Sequence, residues 1–153
     1  MAFGLRENAS DVVDESNSAT AYGNCDGCRS IAIAFQVVIV QSTRSTVTPQ
    51  NVALAVNEGC SGCSALAIAH QFVVGKGEPA RITRSGRRQL ETVAKDLRRL
   101  EGSYTRQTNA EVESRANAAA KQVRAILDEQ LVPIDEDGGK PKVEQSRRAD
   151  RDG

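Results

Sequence analysis

Between Asn17 and Gly75 the chain alternates in steps of two residues, and it does so twice. Asn17 to Tyr22 (NSATAY) leads into Cys25-Asp26-Gly27-Cys28 and out through Ile31 to Val38 (IAIAFQVV); Asn51 to Val56 (NVALAV) leads into Cys60-Ser61-Gly62-Cys63 and out through Leu66 to Val73 (LAIAHQFV). The shared pattern is N-x-A-x-A, a spacer, CxGC, two residues, then x-A-I-A-x-Q-x-V, and such self-similarity marks a repeated structural unit. Alternation on both sides of Asp26-Gly27 and Ser61-Gly62 predicts an antiparallel hairpin over 17–40 and another over 51–75, since glycine supplies the positive φ of a tight link. In that register Ala21 meets Ala32, Ala19 meets Ala34 and Asn17 meets Gln36. The second unit matches if Gly59 absorbs one extra residue as a bulge.

Because strand side chains point alternately to opposite sides, the register divides two faces. Tyr22, Ile31, Ile33, Phe35, Val37 and Ile39, with Val52, Leu54, Val56, Leu66, Ile68, Phe72 and Val74, form the expected core face. The other face is small and flat: Asn17, Ala19, Ala21, Ala32, Ala34, Gln36, Asn51, Ala53, Ala55, Ala67, Ala69 and Gln71. Small residues with matched amides suit close stacking of sheets. The set is therefore the candidate face for self-association with a copy or a paralogue; the alternative is that one hairpin packs on the other within a monomer.

After the loop 75–79 the period changes to that of a helix. Leu90, Val93, Ala94, Leu97 and Leu100 share a stripe over 84–101, with Thr83 or Ser85 as cap and Gly102 as stop. Thr108 and Glu111 read as a capping box opening a second helix over 109–131, ended before Pro133. The expected fold is α+β: a four-stranded antiparallel sheet from two repeated hairpins with CxGC tips, backed by two C-terminal helices. One domain would span 17–131. Residues 1–16 are expected to be flexible, and 132–153, charged and aperiodic, to be a disordered tail.

Composition sharpens this picture only locally. At 153 residues the chain can bury a core of its own, and with 3% aromatics that core must be aliphatic. Formal charge balances to zero, yet Arg84, Arg87, Arg88, Lys95, Arg98 and Arg99 crowd the first helix. They are candidate contacts for nucleic acid or an anionic protein; a solvated basic face is the preferred reading, because no base-stacking aromatics accompany them. No apolar run reaches the length of a membrane helix, so no membrane partner is expected. An N-terminus without a charged start and apolar run predicts no signal peptide and favours the cytoplasm, with export by another route left open.

The chemistry resides in Cys25, Cys28, Cys60 and Cys63. If the tips are neighbours, four thiolates at this spacing could hold one structural Zn²⁺; the glycine inside each pair, with Arg29 and Ser64 after it, departs from the usual metal-wrapping turn. Two disulfides or free thiols are the alternatives, and a thioredoxin-type site is disfavoured because the pairs lie between strands. His70, the single histidine, falls on the core face and reads as structural. No HExxH, phosphate loop or nucleophile with an evident base is present, so no enzyme is expected.

The stretch from Asp11-Val12-Val13-Asp14 through both repeats to Arg87-Arg88-x-Leu90 resembles a Cys-paired repeat region of actinobacterial proteins labelled peptide zinc metalloproteases, over roughly residues 11 to 131. The HExxH and membrane spans implied by that label are missing here, so no protease activity carries over. The N/A/Q rhythm is also similar to curli-type amyloid repeats, which lack CxGC tips, and that similarity implies assembly. The expected function is a non-catalytic structural or interaction module that self-associates. The alternative is a zinc-ribbon-like adaptor acting through its basic helix.

Overall fold

The computed structural model describes residues 1–135 and 138–152. In chain order the strands are β1 (Ala2–Asn8), β2 (Val12–Val13), β3 (Ser16–Gly23), β4 (Arg29–Val40), β5 (Thr46–Val47), β6 (Gln50–Asn57), β7 (Ser64–Val74) and β8 (Ala80–Ile82). Helices α1 (Arg84–Glu101) and α2 (Asn109–Gln130) follow, then β9 (Leu131–Pro133) and β10 (Val143–Asp152).

Each repeat is a strand, a CxGC turn and a returning strand, but the hydrogen-bonded ladders run between the repeats. β3 pairs with β6 and β4 with β7, both parallel and in register: Asn17 lies beside Asn51, Ala19 beside Ala53, Ala32 beside Ala67, and Gln36 beside Gln71. The principal sheet has the order β1-β4-β7-β10, with β1 parallel to β4 and β10 antiparallel to β7. The architecture is α+β with a mixed sheet, which corrects the purely antiparallel expectation. The two arms of a repeat stack face to face because their facing side chains are almost all alanine. In-register stacking also sets every residue on its equivalent, a match that antiparallel pairing of two arms cannot give.

Three layers result. The β3–β6 pair forms the outer one. Ala19, Ala32, Ala34 and Ala69 are buried between it and the principal sheet, with Ala2, Ala21, Ala53 and Ala55 packed around them. On the other side of the principal sheet, Ile33, Phe35, Val37, Ile39, Leu66, Ile68, Phe72 and Val74 are buried against Leu90, Val93 and Leu97 of α1 and Val112, Val123 and Leu127 of α2. Thr83 caps α1 by accepting from the Gly86 N–H, and Thr108 and Glu111 form a reciprocal capping box on α2.

Two further expectations change. Tyr22, Val52, Leu54 and Val56, assigned above to the core face, are 59%, 53%, 51% and 38% exposed. Their arms belong to the outer layer, so the side opposite the alanines faces solvent. The segments expected to be flexible also carry strands. β1 contributes Phe3 and Leu5 to the aliphatic core, and β10 takes the free edge of β7, held by Arg147 and Arg151 pairing with Glu113. Backbone pairing to an existing edge needs no apolar pattern, which explains why a charged sequence could supply a strand.

The extra residue of the second repeat is taken up at Gly59, which has φ of 60°. Ala34 is fully buried between the layers, where added methylenes have nowhere to go. Ala34→Leu is therefore expected to lower stability by about 1–3 kcal/mol, read as a reduced urea midpoint; an unchanged midpoint would contradict the close approach of the layers.

Candidate functional site

All twelve small and amide residues expected on an association face lie in or at the rim of the seam between β3–β6 and the principal sheet. The amides are the polar part of that seam. The Asn17 side-chain amide donates to Asn51 Oδ1 at 2.7 Å and to the Phe35 carbonyl at 3.0 Å; Asn51 donates in turn to the carbonyls of Ala34 (3.1 Å) and His70 (2.8 Å). Gln71 donates to Gln36 Oε1 at 2.8 Å and to the Pro49 carbonyl at 3.0 Å, and Gln36 donates to the Glu15 carbonyl at 2.8 Å. Gln36 is buried and Asn17, Asn51 and Gln71 are partly so, and amides withdrawn from water are costly unless bonded. Here each is bonded to its equivalent in the other repeat and to main chain, so the pair of repeats is fixed in one register.

The tips stack likewise. Cys25 pairs with Cys28 and Cys60 with Cys63 as disulfides within each turn, with Cα separations of 5.4 and 6.1 Å, inside the range such bridges span. The Cys28 N–H points at Cys63 Sγ at 3.1 Å, the Gly27 N–H donates to the Ser61 carbonyl at 2.9 Å, and the Ser61 N–H donates to the Asp26 carboxylate at 2.9 Å. The four sulfurs are thus gathered at one end of the molecule. Joined within each turn, the sulfurs close the two tips, and among the described residues no group of three or more His, Cys, Asp or Glu side chains is placed to hold a metal ion.

One residue beside the tip was not singled out from the sequence. Arg29 donates to the main-chain carbonyls of Tyr104 and Gln107, and its guanidinium lies 5.5 Å from the centre of the Tyr104 ring. It ties the first tip to the helical half. Its position directly after Cys28 was the available signal, but the partners lie far along the chain.

The basic residues of α1 are all exposed. Arg87 pairs with Glu7, and Arg99 with Asp96 at 2.8 Å, so part of that face is neutralised within the chain. No helix among the described residues is long and apolar enough to cross a membrane.

His70 is buried at 1% exposure against Phe35, with ring centres 4.9 Å apart, and neither ring nitrogen has a hydrogen-bond partner among the described residues. Burial, followed by the nearby Arg147 charge, lowers its pKa from 6.5 to about 4, while Asn117 acts in the opposite direction. The unfolded chain therefore binds a proton below 6.5 that the folded chain refuses until about 4. Stability contributed by the neutral ring is present above 6.5 and is lost as pH falls towards 4. His70→Leu should flatten that part of the profile, measured as denaturation midpoints of both proteins from neutral pH to about pH 4; equal slopes would show that His70 is not held neutral.

No family model, curated protein or solved structure matches this chain.

Proposed function

We propose that the chain is a non-catalytic structural module that associates with copies of itself, and that it does so through the outer face of the β3–β6 pair. The observation that carries this reading is the exposed apolar row Val52, Leu54 and Val56 on β6, with Tyr22 next to it on β3. Single exposed apolar side chains are ordinary, but a contiguous row on one sheet face is a recurrent mark of an interface. The alanine face, first candidate for this role, is largely covered by the chain's own second layer.

The physical argument concerns the outer layer. A two-stranded sheet is marginal unless something covers it, and here only its alanine side is covered. Packing two such faces about a twofold axis would bury both rows in an aligned sheet-on-sheet contact. The disulfides at the tips support this role by holding the ends of the repeats against fraying, since a cross-link restricts the unfolded chain.

Light scattering over a concentration series tests the reading. The wild-type protein is expected to gain mass with concentration, and Leu54→Lys to remain monomeric with an unchanged melting temperature, because its side chain is already half in solvent. A variant that associates as the wild type does would refute the outer face as the contact.

A further inference from the structure

The principal sheet is one strand longer than the outer layer above the second repeat. β10 extends it past β7, while among the described residues β6 has β3 as its single neighbour, so the opposite edge of β6 carries main-chain groups with no described strand beside them. The missing rung is a groove of ≈ 680 Å³. Its floor is the edge of β6 with Ala53 and Ala55, its back wall is Ala65 and Ala67 of β7, and its roof is the inner side of β10. Ala53, Ala55, Ala65 and Ala67 are partly exposed there, whereas Ala32 and Ala34, one rung lower in the filled seam, are 1% and 0% exposed.

We infer that this groove is a docking site for one extended strand of a partner protein, added parallel to β6 and carrying small residues at alternate positions in the N-x-A-x-A rhythm. The groove adjoins the outer face proposed above, because Val52, Leu54 and Val56 of β6 also line it. Two observations choose the occupant. The first is continuity with an interface already present: β3 lies on the other edge of β6 in register, placing Asn17, Ala19 and Ala21 beside Asn51, Ala53 and Ala55, and a strand of the same pattern would repeat that contact on the free edge. The second is volume. Arg148 and Asp150 of β10 share the face of Ala69 and Ala67, so they overhang the groove, and small inward side chains opposite them leave room for both. Strand addition of this kind draws affinity from main-chain hydrogen bonds and selectivity from alternate side chains.

A folded second copy of this chain cannot supply the strand. Its own β3 lies over β4 and β1 of its principal sheet. With its β3 seated on β6, those two strands would meet β10 and β7 of the receiving molecule. The segment must come from a chain in which it is otherwise unpaired.

A synthetic peptide with the sequence of residues 16–24, fluorescently labelled at its N-terminus, is the probe. It is titrated into the full chain carrying Tyr22→Lys, on the outer face but not on the lining of the groove, so that association at the outer face does not compete. Saturable binding is expected, competed by unlabelled peptide and lost when the peptide carries proline in place of Thr20, whose N–H would face the free edge of β6 and is removed by the ring. Hydrogen exchange should slow at the amides of β6 in the complex. Adding Asp150→Trp, at an exposed position on the roof, should fill the groove and abolish binding while the melting temperature is kept. Absence of saturation, binding that survives Asp150→Trp in a protein of unchanged melting temperature, or exchange protection confined to strands other than β6 would overturn the inference. The outer-face reading is judged by scattering without peptide, so the two fail separately.

Discussion

A buried amide side chain needs partners for two N–H groups and an oxygen, and few arrangements provide them repeatedly along a sheet. In this chain Asn17 sits beside Asn51 and Gln36 beside Gln71, and each pair closes its bonds between its members and to main-chain carbonyls across the seam. Every larger feature follows from that match. It requires the repeats to lie parallel and in register, which in turn places alanine over alanine. The resulting flat seam brings two layers together closely enough that nothing larger fits. A shift by one residue would expose the alanines and bury Thr20 and Leu54, so the amides select one register among alternatives that backbone bonding alone would tolerate.

Much of this was legible in the chain itself, and the part that was not has a definite physical origin. The repeat, the period of two, the turn at CxGC and the two helices were all present as local signals, because each depends on residues within a few positions of one another. The extra residue at Gly59 was visible as a one-residue mismatch between repeats, but Gly59 lies in the turn after β6 and not in a bulge of a hairpin ladder. What the pattern could not decide was the partner of each strand. Alternating Ala and Ile on β4 is equally compatible with an arm bonded to β3 and with an arm stacked over it, since both put the alanines of a repeat together. The choice is made by contacts between residues of different repeats, and no local signal records them. The same ambiguity explains Val52, Leu54 and Val56, whose alternation is correct and whose solvent-facing side follows only from the layer to which β6 belongs. β10 is the clearest case of the limit. Its sequence has no apolar period and forms a strand because the edge of β7 is available to it.

The distribution of edges separates a finished side of the molecule from an open one. β10 presents charge where β7 would otherwise offer a bare, apolar edge, a common protection against uncontrolled pairing. Among the described residues β6 has no such cover, and its outward side carries the exposed apolar residues Val52, Leu54 and Val56. Disulfide-closed tips, an amide-locked register and helices over the far face make a stiff support for that open side. A rigid support lowers the ordering cost of association.

The decisive quantity is the pairing of β3. Nuclear Overhauser contacts measured on the isotope-labelled chain distinguish the arrangements directly, because backbone protons of hydrogen-bonded neighbours lie within reach while those of stacked layers do not. In-register stacking of the repeats predicts sequential parallel contacts linking Ala19, Thr20 and Ala21 with Ala53, Leu54 and Ala55. Strong cross-strand contacts between the α-protons of Thr20 and Ile33, the close pair of an antiparallel hairpin in that register, with none from β3 to β6, would contradict it.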